Sequence, residues 1–142
     1  MGSFTTTGYS CDGVTLNTLN NTYASWTFRK QPKFFDVVTY TGTGAVQNIA
    51  HSLGSVPGCI VVKRTNTTGG WIVYHRSTGN TGYTSLNTTG AFAADSTVWN
   101  NTDPTATQFT VGTAGAVNSS PNTYVAYIFA HNAGGFGLTG TD

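Results

Sequence analysis

Glutamate does not occur once in these 142 residues, and five aspartates supply all the side-chain negative charge. Charged residues make up 8% of the chain, against about 25% in ordinary globular domains. A formal net charge of +1 creates no long-range field, which argues against nucleic acid as a partner. Residues suited to exposed helices are equally scarce: three lysines, three arginines and one methionine. Thr, Asn, Ser and Gly fill the polar positions instead, and these favour strands and turns. The composition therefore predicts an all-β chain, long enough to bury a core without metal or disulfides.

Other absences narrow the reading further. No apolar run approaches the ~20 residues needed to span a membrane, and no signal peptide opens the chain, so no membrane insertion is expected. The two cysteines, Cys11 and Cys59, allow a single pairing, which spacing alone leaves open. Neither has zinc-type spacing around it. Cys59, in the apolar run GCIVVKR, reads as a small core residue. His51, His75 and His131 lie far apart without local ligand partners, so no metal or other cofactor is expected.

What is present is a series of short alternating or apolar runs. Strands are predicted at Tyr23–Phe28, Phe34–Tyr40, Val46–Ala50, Cys59–Arg64, Trp71–Arg76, Tyr83–Asn87, Phe92–Val98, Gln108–Val111 and Thr123–Ala130. Clusters such as NTTGG at 66–70 and STGNTG at 77–82 supply turn residues between them. TNTTGGW reads as a hairpin loop. No window shows the 3.6-residue period of an amphipathic helix.

One stretch is written twice. NTYASWTF near the start matches NTYVAYIF near the end, so that Ala24, Trp26 and Phe28 fall on Val125, Tyr127 and Phe129. These share one face of a strand. The lead-ins FTTTG and FTVGT also match. Residues 1–33 thus read as the closing strands of a preceding module, 34–130 as the main module and 131–142 as a Gly-rich linker. The competing reading is two strands of one domain that converged in composition. Either way, the opening segment carries Trp26, Phe28, Phe34 and Phe35 and is expected to pair into the body of the fold.

Phe35–Gly44 (FDVVTYTGTG), His51–Pro57 (HSLGSVP), Ile60–Arg64 and Tyr124–Phe129 (YVAYIF) resemble the repeating β-modules of tail and virion structural proteins from phages of marine bacteria and cyanobacteria. In that family an aromatic-Asp-Val-Val-x-Tyr-x-Gly-x-Gly strand leads to His-x-Leu-Gly-x-x-Pro, an apolar strand ending in Lys-Arg, and a Tyr-Val-Ala-Tyr strand. The resemblance implies an antiparallel β-sandwich of the jelly-roll, concanavalin A or lectin-like type, repeated along the exterior of a phage particle. It carries no ligand site with it.

Catalysis finds little support among the residues. Glycoside hydrolysis needs two carboxylates ~5–9 Å apart. Asp12 and Asp103 read as turn formers, Asp142 is terminal, and Asp36 and Asp95 have no acidic neighbour on a shared strand face. No nucleophile elbow surrounds any serine. Arg29, Lys30 and Lys33 form one basic run, read as a solvated turn. The candidate binding residues are Trp71, Tyr74, His75 and Arg76 in WIVYHR, with Tyr83 and Trp99. Aromatic faces of this kind stack on the C–H groups of sugars, and the competing reading is core anchoring. The expectation is a non-catalytic structural module of a tail, fibre or decoration protein, whose partners are copies of itself or neighbouring modules. The alternative is a module that binds a host surface glycan.

Overall fold

Alternation of apolar and polar residues places one row of side chains on each face of a strand, and in the longer strands here one row is driven out of water. The computed structural model describes residues 19–131, of which 41% are in strands and 7% in helices. In chain order the elements are β1 (Phe35–Thr41), β2 (Gln47–Ala50), β3 (Pro57–Arg64), β4 (Trp71–His75), β5 (Gly79–Ser85) and β6 (Ala93–Ala94), followed by α1 (Ser96–Trp99), β7 (Gln108–Val111), α2 (Gly115–Asn118) and β8 (Thr123–Ala130). All pairings are antiparallel. Six strands form one sheet in the order β1-β8-β3-β4-β5-β6, and β2 pairs with β7 in a second, two-stranded sheet.

The register sorts the side chains of the large sheet. Asp36↔Ile128↔Ile60↔Tyr74, Val38↔Ala126↔Val62↔Ile72 and Tyr40↔Tyr124↔Arg64 point to one face. Their apolar members meet Ile49, Leu53, Val98, Trp99, Phe109, Val111 and Val117 in a single core. The second layer over this inner face thus comes from β2, β7, both one-turn helices and the loop after β2. Burying each large side chain is worth ~1.5–3 kcal/mol, which explains why such short elements stay docked.

The opposite, outer face carries Phe35↔Phe129↔Cys59↔His75, Val37↔Tyr127↔Val61↔Val73 and Thr39↔Val125↔Lys63↔Trp71. Most of these side chains are half-exposed; Phe35 and Val61 are buried, but none joins the cluster on the inner face. Cys59 is among them, a free thiol and not the core residue expected, because Ile60 and Val62 take the inner positions of β3. Cys11 lies outside the described residues, as do the FTTTG lead-in and the linker from residue 132 onward.

One predicted strand is overturned and another is cut short. Residues 21–30 form no strand, and the backbone pairing near them is one isolated bridge, Gln31↔Phe35. Trp26 is 82% exposed, so the segment does not pair into the sheet as its alternation suggested. It touches the body through Phe28, whose ring lies 5.5 Å from Phe35 and 5.4 Å from Phe129 between centroids, and through Lys30. Of the predicted strand Phe92–Val98 only Ala93–Ala94 is realised, as β6 paired with β5. Asp95 caps α1: its carboxylate accepts from the Thr97 amide (2.9 Å) and hydroxyl (2.6 Å), so the chain turns inward after β6. The fifth strand begins earlier than expected, at Gly79 instead of Tyr83, because the turn closes at Thr78, whose amide donates to the His75 carbonyl.

Candidate functional site

The six residues singled out as a sugar-binding group are divided by the sheet. Tyr74 and Trp99 are buried in the core, their rings edge to face at 6.0 Å. Tyr83 packs against the same core. Trp71 and His75 lie on the outer face, and Arg76 is exposed beyond the end of β4. The alternation of β4 made this split legible, but not which row pointed inward. Trp71 instead stacks on Tyr127 of β8, with ring planes 15° apart and centroids at 6.3 Å. Tyr127 was not among the expected site residues. The signal was available in the matching outer rows of β8 and β4, joined across β3.

The motif residues behind the family resemblance converge on the backbone. Asp36, at the inner edge of β1, accepts from the Val37 amide (2.8 Å), the Ser52 amide (2.7 Å) and the Lys30 ammonium (2.9 Å). Burial by itself raises a carboxyl pKa. Here the Lys30 charge and the two amides outweigh it and hold Asp36 below its ordinary 3.8. Lys30 is therefore an ion-pair partner, not a member of a freely solvated basic turn. His51 is buried beside this pair, and its Nδ1 accepts from the Leu53 amide (3.3 Å). Burial lowers His51 below 6.5, against the opposing pull of Asp36 and the Thr105 backbone.

A second cluster forms around α2. Asn118, with no exposed surface, uses its whole amide: Oδ1 accepts from the Thr43 amide (2.9 Å) and Gln47 Nε2 (2.6 Å), while Nδ2 donates to the carbonyls of Ala45 (2.6 Å) and Gly112 (2.7 Å). The Tyr40 hydroxyl donates to the Val117 carbonyl (2.7 Å), and its ring stacks 5.2 Å from Tyr124. The Tyr124 hydroxyl accepts from the Ser119 amide and donates to the Gly115 carbonyl. Arg64 also donates to the Gly115 carbonyl, and its guanidinium lies 5.6 Å over the Tyr124 ring. Arg64 thus ties β3 to α2. Burial, with the neighbouring Tyr124, pushes the Tyr40 phenol far up, so it stays a donor. Gly42 lets the strand pass this cluster: a Cβ there would sit 2.5 Å from the Ser119 carbonyl oxygen.

The three described carboxylates thus have structural partners: Asp36 as above, Asp95 at the α1 cap, and Asp103 accepting from Asn80 Nδ2 at 2.6 Å. Among the described residues no three of His, Cys, Asp or Glu converge to hold a metal ion. No helix among them is long and apolar enough to cross a membrane.

Comparison with known families decides the affiliation. Residues 1–141 match the profile of a domain of unknown function, DUF7483. The chain belongs to the DUF7483 family. No curated protein and no solved structure matches it. In this DUF7483 domain the aromatic-Asp-Val-Val-x-Tyr-x-Gly-x-Gly stretch gives the ion-paired aspartate of one cluster and the buried tyrosine and close-approach glycine of the other. The His-x-Leu-Gly-x-x-Pro stretch gives the buried histidine.

Proposed function

We propose that this domain is a non-catalytic structural module of a phage virion appendage, a tail, fibre or decoration protein, acting through packing and self-association. The virion placement rests on the sequence resemblance to tail and virion β-modules. The observation that carries the mechanical part is the use of the motif residues. Asp36, Tyr40, Gly42, His51, Arg64 and Tyr124 hold backbone amides, carbonyls or close-packed chain, so their polar groups stiffen the domain and are not left pointing at a ligand. The half-exposed apolar face of the large sheet adds a surface for neighbours. The finer architecture is part of the same proposal: a jelly-roll β-sandwich in which the β2–β7 pair stands for the smaller sheet. Antiserum raised against the domain should label the exterior of purified particles of the encoding phage in electron micrographs. Protein found only in the lysate, with bare particles, would refute the placement.

A second reading keeps one observation in its favour. Trp71 and Tyr127 form a stacked, half-exposed aromatic platform with Lys63 alongside, directly opposite Trp71 in the register. Such a platform is suited to the C–H face of a sugar ring. Binding on a glycan array, lost in Trp71→Ala with the melting transition intact, would establish it. An array without signal removes it.

A further inference from the structure

Two apolar surfaces stand in water: part of the arm ahead of β1, and the outer face of the large sheet away from the rim where Phe28 meets Phe35 and Phe129. The arm residues Leu19 and Trp26 are 86% and 82% exposed. The outer face offers Val37, Val61, Val73, Val125, Tyr127 and Trp71 in adjoining register positions. All but one of these are half-exposed, and Val61 falls just below that range.

The geometry points to arm exchange between copies: residues 19–28 of one copy lie across the outer face of the six-stranded sheet of a second copy. This rests on the self-association reading above and deepens it by naming the surfaces. Three observations favour this occupant. Phe28 already sits against Phe35 and Phe129 at the rim of its own outer face, so an aromatic of this arm is shown to suit the surface. Beyond Phe28 the arm leaves that face, since Trp26, two residues earlier and on the same side of an extended chain, is left in water. The arm, LNNTYASWTF, carries no charge, and Lys63 and His75 are the only basic side chains in the three outer rows, so docking strands no ion pair. Ten extended residues reach roughly 33 Å, enough to cross six strands at about 4.8 Å spacing. Reciprocal exchange closes a dimer, and one-way donation builds an open string.

The test uses sedimentation velocity over a concentration series on the full chain, on Trp26→Ser, on Val73→Lys and on their equimolar mixture. Both substitutions lie outside the core, and thermal melts establish that each variant folds. The wild type is expected to assemble, and each variant alone to sediment as a monomer or to associate at least about tenfold more weakly. The mixture should recover a heterodimer, because it contains one intact arm and one intact face. Alkylation of Cys59, mapped by mass spectrometry, supplies a readout that needs no face variant. Cys59 should be shielded at high concentration in the wild type and not in Trp26→Ser. If the wild type assembles and Trp26→Ser assembles equally well, arm exchange is wrong while self-association stands. If the wild type is monomeric throughout, both fall.

Discussion

Replacing Asn118 removes one side chain that makes four hydrogen bonds from a fully buried position. Its four partners are two carbonyls facing Nδ2 and two N–H donors facing Oδ1, so only one orientation of the amide satisfies them. Asn118→Ala removes all four bonds. A buried polar group left without a partner costs ~1–3 kcal/mol. The Gly112 bond is fully buried and the other three partly so, which lets water recover part of the loss. The expected cost is about 3–5 kcal/mol, a large share of the ~5–15 kcal/mol that holds a domain together. In a melt this lowers Tm by roughly 10–15 °C. Asn118→Leu fills the volume but leaves the same groups unpaired, so it should be no better. Asn118→Asp keeps the two acceptor contacts and turns a carboxylate toward the Ala45 and Gly112 carbonyls, raising the folded-state pKa of that carboxyl. A raised folded pKa gives stability that is present below the unfolded value, ~3.9, and lost as pH rises through the folded value. The gap between this variant and the wild type should therefore narrow on acidification. Urea melts at several pH values read all of this. A cost below about 1 kcal/mol for Asn118→Ala, or an aspartate gap independent of pH, would refute the hub.

Three further outcomes follow from the same structure. Asp36 and His51 both have folded pKa values below their unfolded ones. The stability each contributes is present above its unfolded pKa and lost as pH falls through the lowered value. Melts should show the wild type weakening below pH 6.5 for His51 and again below 3.8 for Asp36, with His51→Gln abolishing the first phase and Asp36→Asn the second. Gly42→Ala forces a methyl against the Ser119 carbonyl and the Asn118 backbone; an overpacking cost of ~1–3 kcal/mol is expected in urea melts, and an unchanged midpoint would contradict the close approach. Trp99→Ala should cost ~3–5 kcal/mol as a core truncation, whereas Trp71→Ala, on the outer face, should cost clearly less; equal losses in chemical denaturation would place Trp71 wrongly.

The legible parts were those in which one strand carried its own pattern. Phe34–Tyr40, Val46–Ala50, Cys59–Arg64, Trp71–Arg76, Gln108–Val111 and Thr123–Ala130 appear as β1, β2, β3, β4, β7 and β8 with ends moved by two residues at most. The hairpin loop NTTGG joins β3 to β4 as read. Tyr23–Phe28 alternates as convincingly as β8, yet alternation specifies only that a segment can be a strand, not that a hydrogen-bonding neighbour exists for it. At Phe92–Val98 a single carboxylate, Asp95, diverted an apolar run into a turn of helix, and one turn is too short to display a 3.6-residue period. The proposed binding group failed for a related reason. Tyr74 and Trp71 are three residues apart in one strand, and a period of two sends them to opposite faces, so chain proximity was no guide to shared surface. Asn118 left no sequence signal, because its importance lies in four partners that meet only after folding.

The position of β8 bears on how the molecule is made. It is the last strand among the described residues, yet it sits between β1 and β3, so it zips the sheet shut from the middle. Until residue 130 has left the ribosome, β1 has no large-sheet neighbour and β3 keeps one raw edge. Such edges recruit other chains, and pairing across some 90 positions is slow. A nascent copy therefore spends its most adhesive interval close to sibling chains on the same message, where chaperone shelter or prompt release decides between an ordered product and a clump.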